Sequence, residues 1–339
     1  MESITKNRQS PATLRAMIER AYGAELVPEG DDFAEEFTNG WFNAAYVVRL
    51  RDGRRTVLKI APAADVAVLT REVGMMRTEI AAMELVRERT GVPVPRIDHA
   101  DLSHELVDAD WFFMEFIDAD NFGLEVDAGR LPADVVAAGE RHLGELNREL
   151  NAVVGPYFGS ITGPGAATWP EAFGAMFEDT LRDGERVGVD LGWAFDDIRS
   201  VLAEHADALA EVTEPRFVEL DLWNKNSMIR DGRIVAILDH ERALWGDPLM
   251  EAGLTGIDLP DFGDPTAFAT GFGLDVSALT ESQRTRRRLY SLHLAVIMVV
   301  ETEYRKPDEW VYGWARAQVD LLMAQFGRTR AEMPKGAAG

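Results

Sequence analysis

The chain has 339 residues, 46% of them hydrophobic and 27% charged, with a formal net charge of -23. That length allows two lobes with ample core burial, the mixture is ordinary for a folded globular protein, and the acidity disfavours nucleic acid and anionic membrane surfaces as partners. There is no cysteine, which excludes disulfides, thiol nucleophiles and cysteine-based zinc sites together.

The first residues, Met-Glu-Ser-Ile-Thr-Lys, lack a basic and apolar leader, and the longest apolar run, residues 294–300, is far shorter than the ~20 residues needed to span a bilayer. A cytoplasmic location is expected. An N-terminal helix over 11–22 precedes a segment, residues 37–50, that reads as a strand, a loop at Asn39-Gly40 and a second strand. Gly40 lets backbone N–H groups approach phosphates without a Cβ in the way, and Asn43, at the start of the second strand, is expected to take part in binding the nucleotide. Asp52-Gly53 then turns the chain into a third strand, residues 56–60, in which Lys59 lies between Leu58 and Ile60 and so points off their face.

Residues 69–89 carry apolar side chains at helical spacing with Glu79 in the middle. A glutamate on this helix can pair with the strand lysine, a buried charge that needs a partner. Glu72 and Glu84 are alternatives on the same helix, each expected to be solvated. Thr-Gly-Val-Pro-Val-Pro-Arg at 90–96 breaks the helix, and Trp-Phe-Phe-Met-Glu-Phe-Ile at 111–117 fits a buried strand leading into a connector. Helical patterns follow at 133–151, 169–181 and 194–211, the first two joined by a Gly- and Pro-rich loop at 155–165.

The densest signal is the run from 217 to 248, FVELDLWNKNSMIRDGRIVAILDHERALWGDP. Two strand-like stretches, 227–229 and 234–238, flank the turn Asp231-Gly232, whose type fixes a hairpin register. Asp239 is thereby returned beside Asn226, with Asp221 in a tight loop just before. The spacing suits phosphoryl transfer, in which one carboxylate orients the acceptor hydroxyl while an amide and a second carboxylate hold Mg2+ on the phosphates. Helices at 281–304 and 310–326 complete the chain. Glu301 falls on the stripe of Leu294, Ile297 and Met298, and a carboxylate there needs a partner. Arg305, four residues on, is one reading; an ammonium group of a substrate is the other. Gly-x-x-x-x-Gly-Lys-Ser/Thr, Gly-x-Gly-x-x-Gly before a helix, Gly-x-Ser-x-Gly and His-Glu-x-x-His are all absent from the sequence.

The 217–248 run resembles that of the aminoglycoside phosphotransferase and choline kinase group, whose members carry HGDLWxxNxxxxxGxxxxxIDWERALWGDP, and the Val-Pro-Val-Pro run at 92–95 recurs there too. The resemblance implies an α+β, two-lobed protein-kinase-like fold with a small, mainly antiparallel β N-lobe (1–116), a larger, mostly helical C-lobe (117–330) and a flexible tail (331–339). It also implies Asp221 as the catalytic aspartate, Asn226 and Asp239 as Mg2+ ligands, Lys59 and Glu79 as the phosphate-binding pair, and Asp247 as a buried brace of the catalytic loop. Residues 111–117 would be the hinge, with the Glu115 carbonyl and the Ile117 N–H on the adenine edge and Met114 packed nearby. The chain departs from the group at Glu219-Leu220, where members have His-Gly, at His240, where they have Trp or Phe, and at Asn151, where they have His. No Ala-Pro-Glu block follows Asp239, so a small-molecule acceptor, a cationic one among the candidates, is expected to receive the γ-phosphoryl group of ATP or GTP. The alternative is a non-catalytic nucleotide-binding module. Sugars, amino sugars, aminoglycosides and amino alcohols stay open as acceptors.

Overall fold

The structure, a computed structural model, describes residues 4–37, 40 and 42–329. Asn39 and the tail at 331–339 lie outside them. Helix α1 (Pro11–Tyr22) begins where the Ser10 hydroxyl accepts the Thr13 N–H with proline in the first turn, a standard N-terminal cap. Its buried residues Leu14, Met17 and Ile18 pack on one face of an antiparallel sheet of β1 (Ala34–Glu36), β2 (Ala44–Arg49), β3 (Arg55–Ile60), β4 (Ile97–Asp101) and β5 (Trp111–Glu115), in the order β1-β2-β3-β5-β4. The first strand therefore ends before Phe37, where the sequence pattern begins it, although the Phe37 N–H still reaches the Ala45 carbonyl at 2.8 Å.

Strand alternation sorts β3. Leu58 and Ile60 join the α1 side, while Val57 packs with Met76, Ile80 and Met83 of helix α2 (Met75–Arg89). Lys59 has the parity of Val57 and so emerges beneath α2. That helix is shorter than its pattern. Gly74, at φ 76, is its left-handed N-cap, and the residues upstream form a separate 3-10 turn, Thr70–Glu72. The interruption has a cause: Leu69 is buried in the core of the C-terminal half, and the Thr70 N–H and hydroxyl both donate to Asp183 at 2.7 Å. Continuing the helix would break that anchor.

The second half contains β6 (Asp120–Asn121), α3 (Phe122–Asp127), α4 (Ala133–Leu150), β7 (Gly159–Ser160) and α5 (Trp169–Val187). The pattern at 194–211 divides into α6 (Phe195–Glu204) and α7 (Ala206–Ala210), because His205 leaves helical geometry at φ -113 and packs on Phe326. Then come β8 (Arg216–Val218), β9 (Ser227–Arg230), β10 (Arg233–Ile237), β11 (Leu244–Gly246), α8 (Thr266–Phe272), α9 (Glu281–Arg305) and α10 (Glu309–Gln325). Two three-stranded sheets, β10-β9-β6 and β7-β11-β8, hold the functional loops. The β9–β10 hairpin turns at Asp231 and Gly232, both at positive φ (52 and 75), as an Asp-Gly turn of the primed type requires. Helix α9 is the spine: it starts with a Thr280–Gln283 capping box and buries Leu289, Leu292, Val296 and Val300 among others. Among the described residues no helix is long and apolar enough to cross a membrane. An antiparallel sheet with one main helix thus precedes a mostly helical half, the two-lobed kinase-like arrangement that the sequence implied.

Candidate active site

Lys59 sits at the meeting point of the two halves. Its ammonium donates to both oxygens of Glu79, at 2.6 and 2.7 Å, and to Asp239 Oδ1 at 2.8 Å. Burial would lower the Lys59 pKa, but Asp239, Glu79 and Glu241 more than offset it and hold the ammonium charged. Burial would likewise raise Asp239, yet Lys59 keeps its carboxyl below the usual range. Of the three helix glutamates, Glu79 makes the pair and Glu84 is exposed. Glu72 is not solvated as expected: it is buried, accepts the Leu69 N–H at 2.9 Å and pairs with Arg305.

Glu241 is a residue that pattern reading missed. One oxygen each from Glu79, Asp239 and Glu241 lie within 4.8 Å of one another, and burial pushes the Glu241 carboxyl up to about 8. Asn43 donates to Glu241 Oε2 at 2.8 Å, while its own Oδ1 is buried with no partner among the described residues. Gly40 is exposed, and a side chain there would meet the Asn43 carbonyl at 4.0 Å. At the connector, Met114 is buried and its carbonyl accepts the Thr56 hydroxyl at 2.8 Å; the Glu115 N–H is taken by the Arg96 carbonyl at 2.8 Å. The Ile117 carbonyl accepts from Ala119 at 3.0 Å, and the Ile117 N–H has no partner among the described residues.

The loop between β8 and β9 carries Asp221. Asn226 donates through its amide to the Asp221 carbonyl at 2.9 Å, and the Leu238 N–H donates to the Asn226 carbonyl at 2.8 Å, which sets Asn226 beside the residue preceding Asp239. Both Leu220 (φ 66) and Asp239 (φ 69) occupy the left-handed region, costing about 1–3 kcal/mol apiece for such residues. What restrains Leu220 is Glu251, fully buried, whose two oxygens accept the Glu219 and Leu220 N–H groups at 3.0 Å each and the Asn151 amide at 2.9 Å. The loop brace is therefore Glu251. Asp247, to which the resemblance gave that task, binds Arg286 at 2.8 Å and the Tyr290 hydroxyl at 2.7 Å, tying β11 to α9 instead. Asn151 also donates to the Phe217 carbonyl at 2.6 Å. Nothing in the sequence pattern marked Glu251, since a glutamate three residues past Gly-Asp-Pro looks solvated until its buried N–H donors are seen.

Asp221 opens onto a cavity of about 400 Å³, within the range of small-molecule sites. Apolar side chains, among them Leu220, Trp223, Met250, Phe262, Phe268 and Ile297, share the wall with polar ones, and Arg71 and Arg242 lie at the Asp221 end. Burial raises the Asp221 carboxyl, which Arg242, 3.5 Å away, partly counters. Glu301 does border this region, and its nearest cation is Arg242 at 4.0 Å. The helix ion pair with Arg305 does not form, because Arg305 is held by Glu72 and lies over the Phe42 ring.

Comparison with known proteins agrees with this geometry. The family model described as "Phosphotransferase enzyme family" matches residues 34–288. No curated protein sequence matches the chain. Among solved structures, a thermostable variant of the aminoglycoside phosphotransferase APH(4)-Ia in a ternary complex with AMP-PNP and hygromycin B is similar at 16% identity and a TM-score of 0.66, over 94% of this chain and 100% of that one. A candidate fructosamine-3-kinase from Thermobifida fusca YX-ER1 is similar at 20% identity and a TM-score of 0.66, with the same coverages of 94% and 100%. A candidate aminoglycoside phosphotransferase from Ralstonia eutropha JMP134 shows 14% identity and a TM-score of 0.61, over 94% and 98%. At these identities the likeness carries the fold; the family match over residues 34–288 carries membership, and the chain belongs to the phosphotransferase enzyme family.

Proposed function

We propose that this protein moves the γ-phosphoryl group of ATP to a hydroxyl of a small molecule, with Asp221 as the acceptor-orienting base. The observation that carries the reading is the placement of Lys59, bonded at once to Glu79 and Asp239, while Asp221 lines an adjoining cavity of ligand size. Nucleotide phosphates on one side and an acceptor on the other would meet between those two points.

Asp221 would accept a hydrogen bond from the acceptor hydroxyl and take its proton as the oxygen attacks phosphorus. Its raised carboxyl pKa suits that task, since a base is most effective when its pKa approaches the working pH. Asn226 fixes the loop by donating to the Asp221 carbonyl, so the carboxylate is aimed by its own backbone. Lys59 would hold the α- and β-phosphates, and the unpaired Ile117 N–H with the Glu115 carbonyl would receive the adenine edge. The donor set near Asp239 is all oxygen, with Asn226 Oδ1 and Glu241 as further candidates, and fits a hard cation such as Mg2+. When bound there, Mg2+ would neutralise charge on the β- and γ-phosphates.

GTP is an open substitute for ATP. A cationic acceptor received by Glu301 is the class suggested by sequence; Arg242 already faces that carboxylate, which favours a different class, argued below. Nucleotide consumption by purified protein, screened over amino sugars, aminoglycosides, hexoses, amino alcohols and hydroxy acids with Asp221→Asn as control, tests the reading. An acceptor that raises consumption in the parent and not in the variant supports it. Equal consumption in both for every acceptor removes it.

A further inference from the structure

The acceptor end of the cavity has a cation that none of the described residues neutralises by contact. Arg71 lines the cavity beside Asp221 and Arg242, yet among the described residues its guanidinium makes no hydrogen bond and no ion pair. The carboxylates within electrostatic reach are Glu301, Glu72 and Asp221. Each has a nearer partner: Glu72 pairs with Arg305, Glu301 lies 4.0 Å from Arg242, and Asp221 lies 3.5 Å from Arg242. A partly buried guanidinium with five donors and no acceptor is costly to maintain.

The backbone carrying Arg71 is fixed. On one side Thr70 donates twice to Asp183 at 2.7 Å, and on the other Glu72 binds Arg305 and the Leu69 N–H. Leu69 is 1% exposed within the core of the C-terminal half. These anchors interrupt the helix expected over 69–89 and deliver Arg71 into the cavity rather than to solvent. Arg242 adds a second guanidinium, and the two repel each other. The remaining carboxylates of the wall are also engaged, Glu140 by the Asn224 amide at 3.2 Å and Asp264 by the Thr266 N–H at 2.9 Å. A polycation entering here would meet three arginines, Arg71, Arg242 and the Asp258-paired Arg287, and carboxylates already in use.

Much of the remaining wall is apolar, with Asn224, Thr255, Ser291, His293 and the Asp258-paired Arg287 as its polar members. Leu220 projects a side chain beside Asp221 from a left-handed backbone that favours glycine. Trp223, 44% exposed, and Phe262, 41% exposed, are the large exposed hydrophobics that line the same cavity. We propose that the acceptor has an apolar body and an oxyanion, and that Arg71 grips the oxyanion while the hydroxyl to be phosphorylated lies at Asp221. This rests on the phosphotransferase reading above. Arg71 would then be a specificity-determining residue, and the sites for charge and for chemistry would sit side by side.

Calorimetry on the protein with MgAMP-PNP, using aliphatic and aromatic hydroxy acids, their methyl esters and hygromycin B as probes, tests it. In the parent at least one acid should bind roughly ten- to a hundredfold tighter than its ester, the range of a hydrogen-bonded charge. Arg71→Gln should abolish that preference without changing ester affinity, and Arg71→Lys, which keeps charge but loses the planar fork, should retain part of it. Phosphate-bearing analogues of the preferred acid separate a carboxylate from a phosphate as the natural group. The proposal is overturned if no acid outbinds its ester, if the preference survives in Arg71→Gln, if hygromycin B outbinds every acid, or if Arg71→Gln weakens MgAMP-PNP and leaves the preference intact. Failure of the parent to bind MgAMP-PNP at all would sink the phosphotransferase reading instead, and the comparison of acid with ester in nucleotide-free protein would still decide the role of Arg71.

Discussion

His240 Nδ1 lies 3.0 Å from Glu219 Oε2, and both side chains are fully buried. In the sequence these residues are two separate departures from the run that the chain resembles; in space they are one feature. A carboxylate at position 219 without a cation would be untenable in the core. With His240 opposite, the loop before Asp221 is held by a histidine that arrives from the far side of the hairpin, its Nε2 at 3.2 Å from the Ile237 carbonyl.

The pair should be strongly coupled. Removing one member, as in Glu219→Gln or His240→Phe, strands a buried polar group and should cost about 3–5 kcal/mol, while the double variant should cost clearly less than the sum. Urea midpoints check this, and additive losses would show that the two do not interact. The pH dependence follows from the imidazole. Burial lowers His240, but Glu219 raises it to a net value above the ordinary 6.5. Its contribution is thus fully present below the unfolded value and lost as pH rises through the folded one. Glu251, pushed up to about 8 by burial against three N–H donors, adds a loss of the same sign, so the informative quantity is the difference between parent and Glu219→Gln. That difference should shrink as pH climbs above about 6.5. A constant gap across this range would refute the assignment.

How much of this was legible in the sequence depended on the range of the interaction. The β9–β10 hairpin and the turn of Lys59 away from the face of Leu58 and Ile60 follow from strand periodicity, which acts over a few residues, whereas Glu79 is set apart from Glu72 and Glu84 on the same helical pattern only by the family resemblance. Asp247 was misassigned because a buried carboxylate in a turn reads the same whether it faces α9 or the catalytic loop; Arg286 and Tyr290, some forty positions on, decide it. The break before α2 was hidden for the same reason. Leu69 to Glu72 has helical spacing, and only Asp183 and Arg305, distant in sequence, draw it out of the helix. Arg71 became visible as a site residue only once that turn was in place.

For the chemical step, Asp221→Asn should lower turnover ~100- to 10,000-fold, the usual span for loss of a general base, and leave nucleotide affinity within a few-fold. The amide keeps the shape but loses the negative charge and with it proton acceptance, and the Arg242 contact at 3.5 Å that weakens with it is charge attraction without hydrogen-bond geometry. Turnover equal to the parent with an established acceptor would remove Asp221 from the mechanism.

The nucleotide clamp should behave as a unit. Lys59→Ala and Glu79→Ala each remove the same buried pair, so either should weaken MgATP binding and the double variant should add little. Asp239→Ala should go further and abolish the Mg2+-dependent part of nucleotide affinity, since it deletes both the Lys59 partner and the half-exposed carboxylate of the oxygen cluster. Calorimetry with and without Mg2+ separates the two effects. An Mg2+ dependence that survives in Asp239→Ala would move the cation site to other ligands.

Glu251 offers the sharpest separation of positioning from chemistry, because it touches the backbone of the catalytic loop and lies outside the nucleotide cluster. Its two oxygens satisfy the N–H groups of Glu219 and Leu220 and the amide of Asn151. Glu251→Ala leaves three buried donors unpaired, at about 1–3 kcal/mol each; Glu251→Gln keeps one carbonyl oxygen and should lose less. Leu220 is held at φ 66 against its intrinsic preference, so release of its N–H should let the loop relax and carry Asp221 off line. A displacement on the order of 1 Å can cost ~100-fold in rate. Turnover should therefore fall in the order parent, Gln, Ala while MgATP affinity stays near the parental value, and Asp221→Asn combined with Glu251→Ala should be no slower than Asp221→Asn alone. A purely structural glutamate would instead lower the melting temperature and leave the turnover of the folded fraction unchanged in Glu251→Gln, and that result would return the brace to the fold.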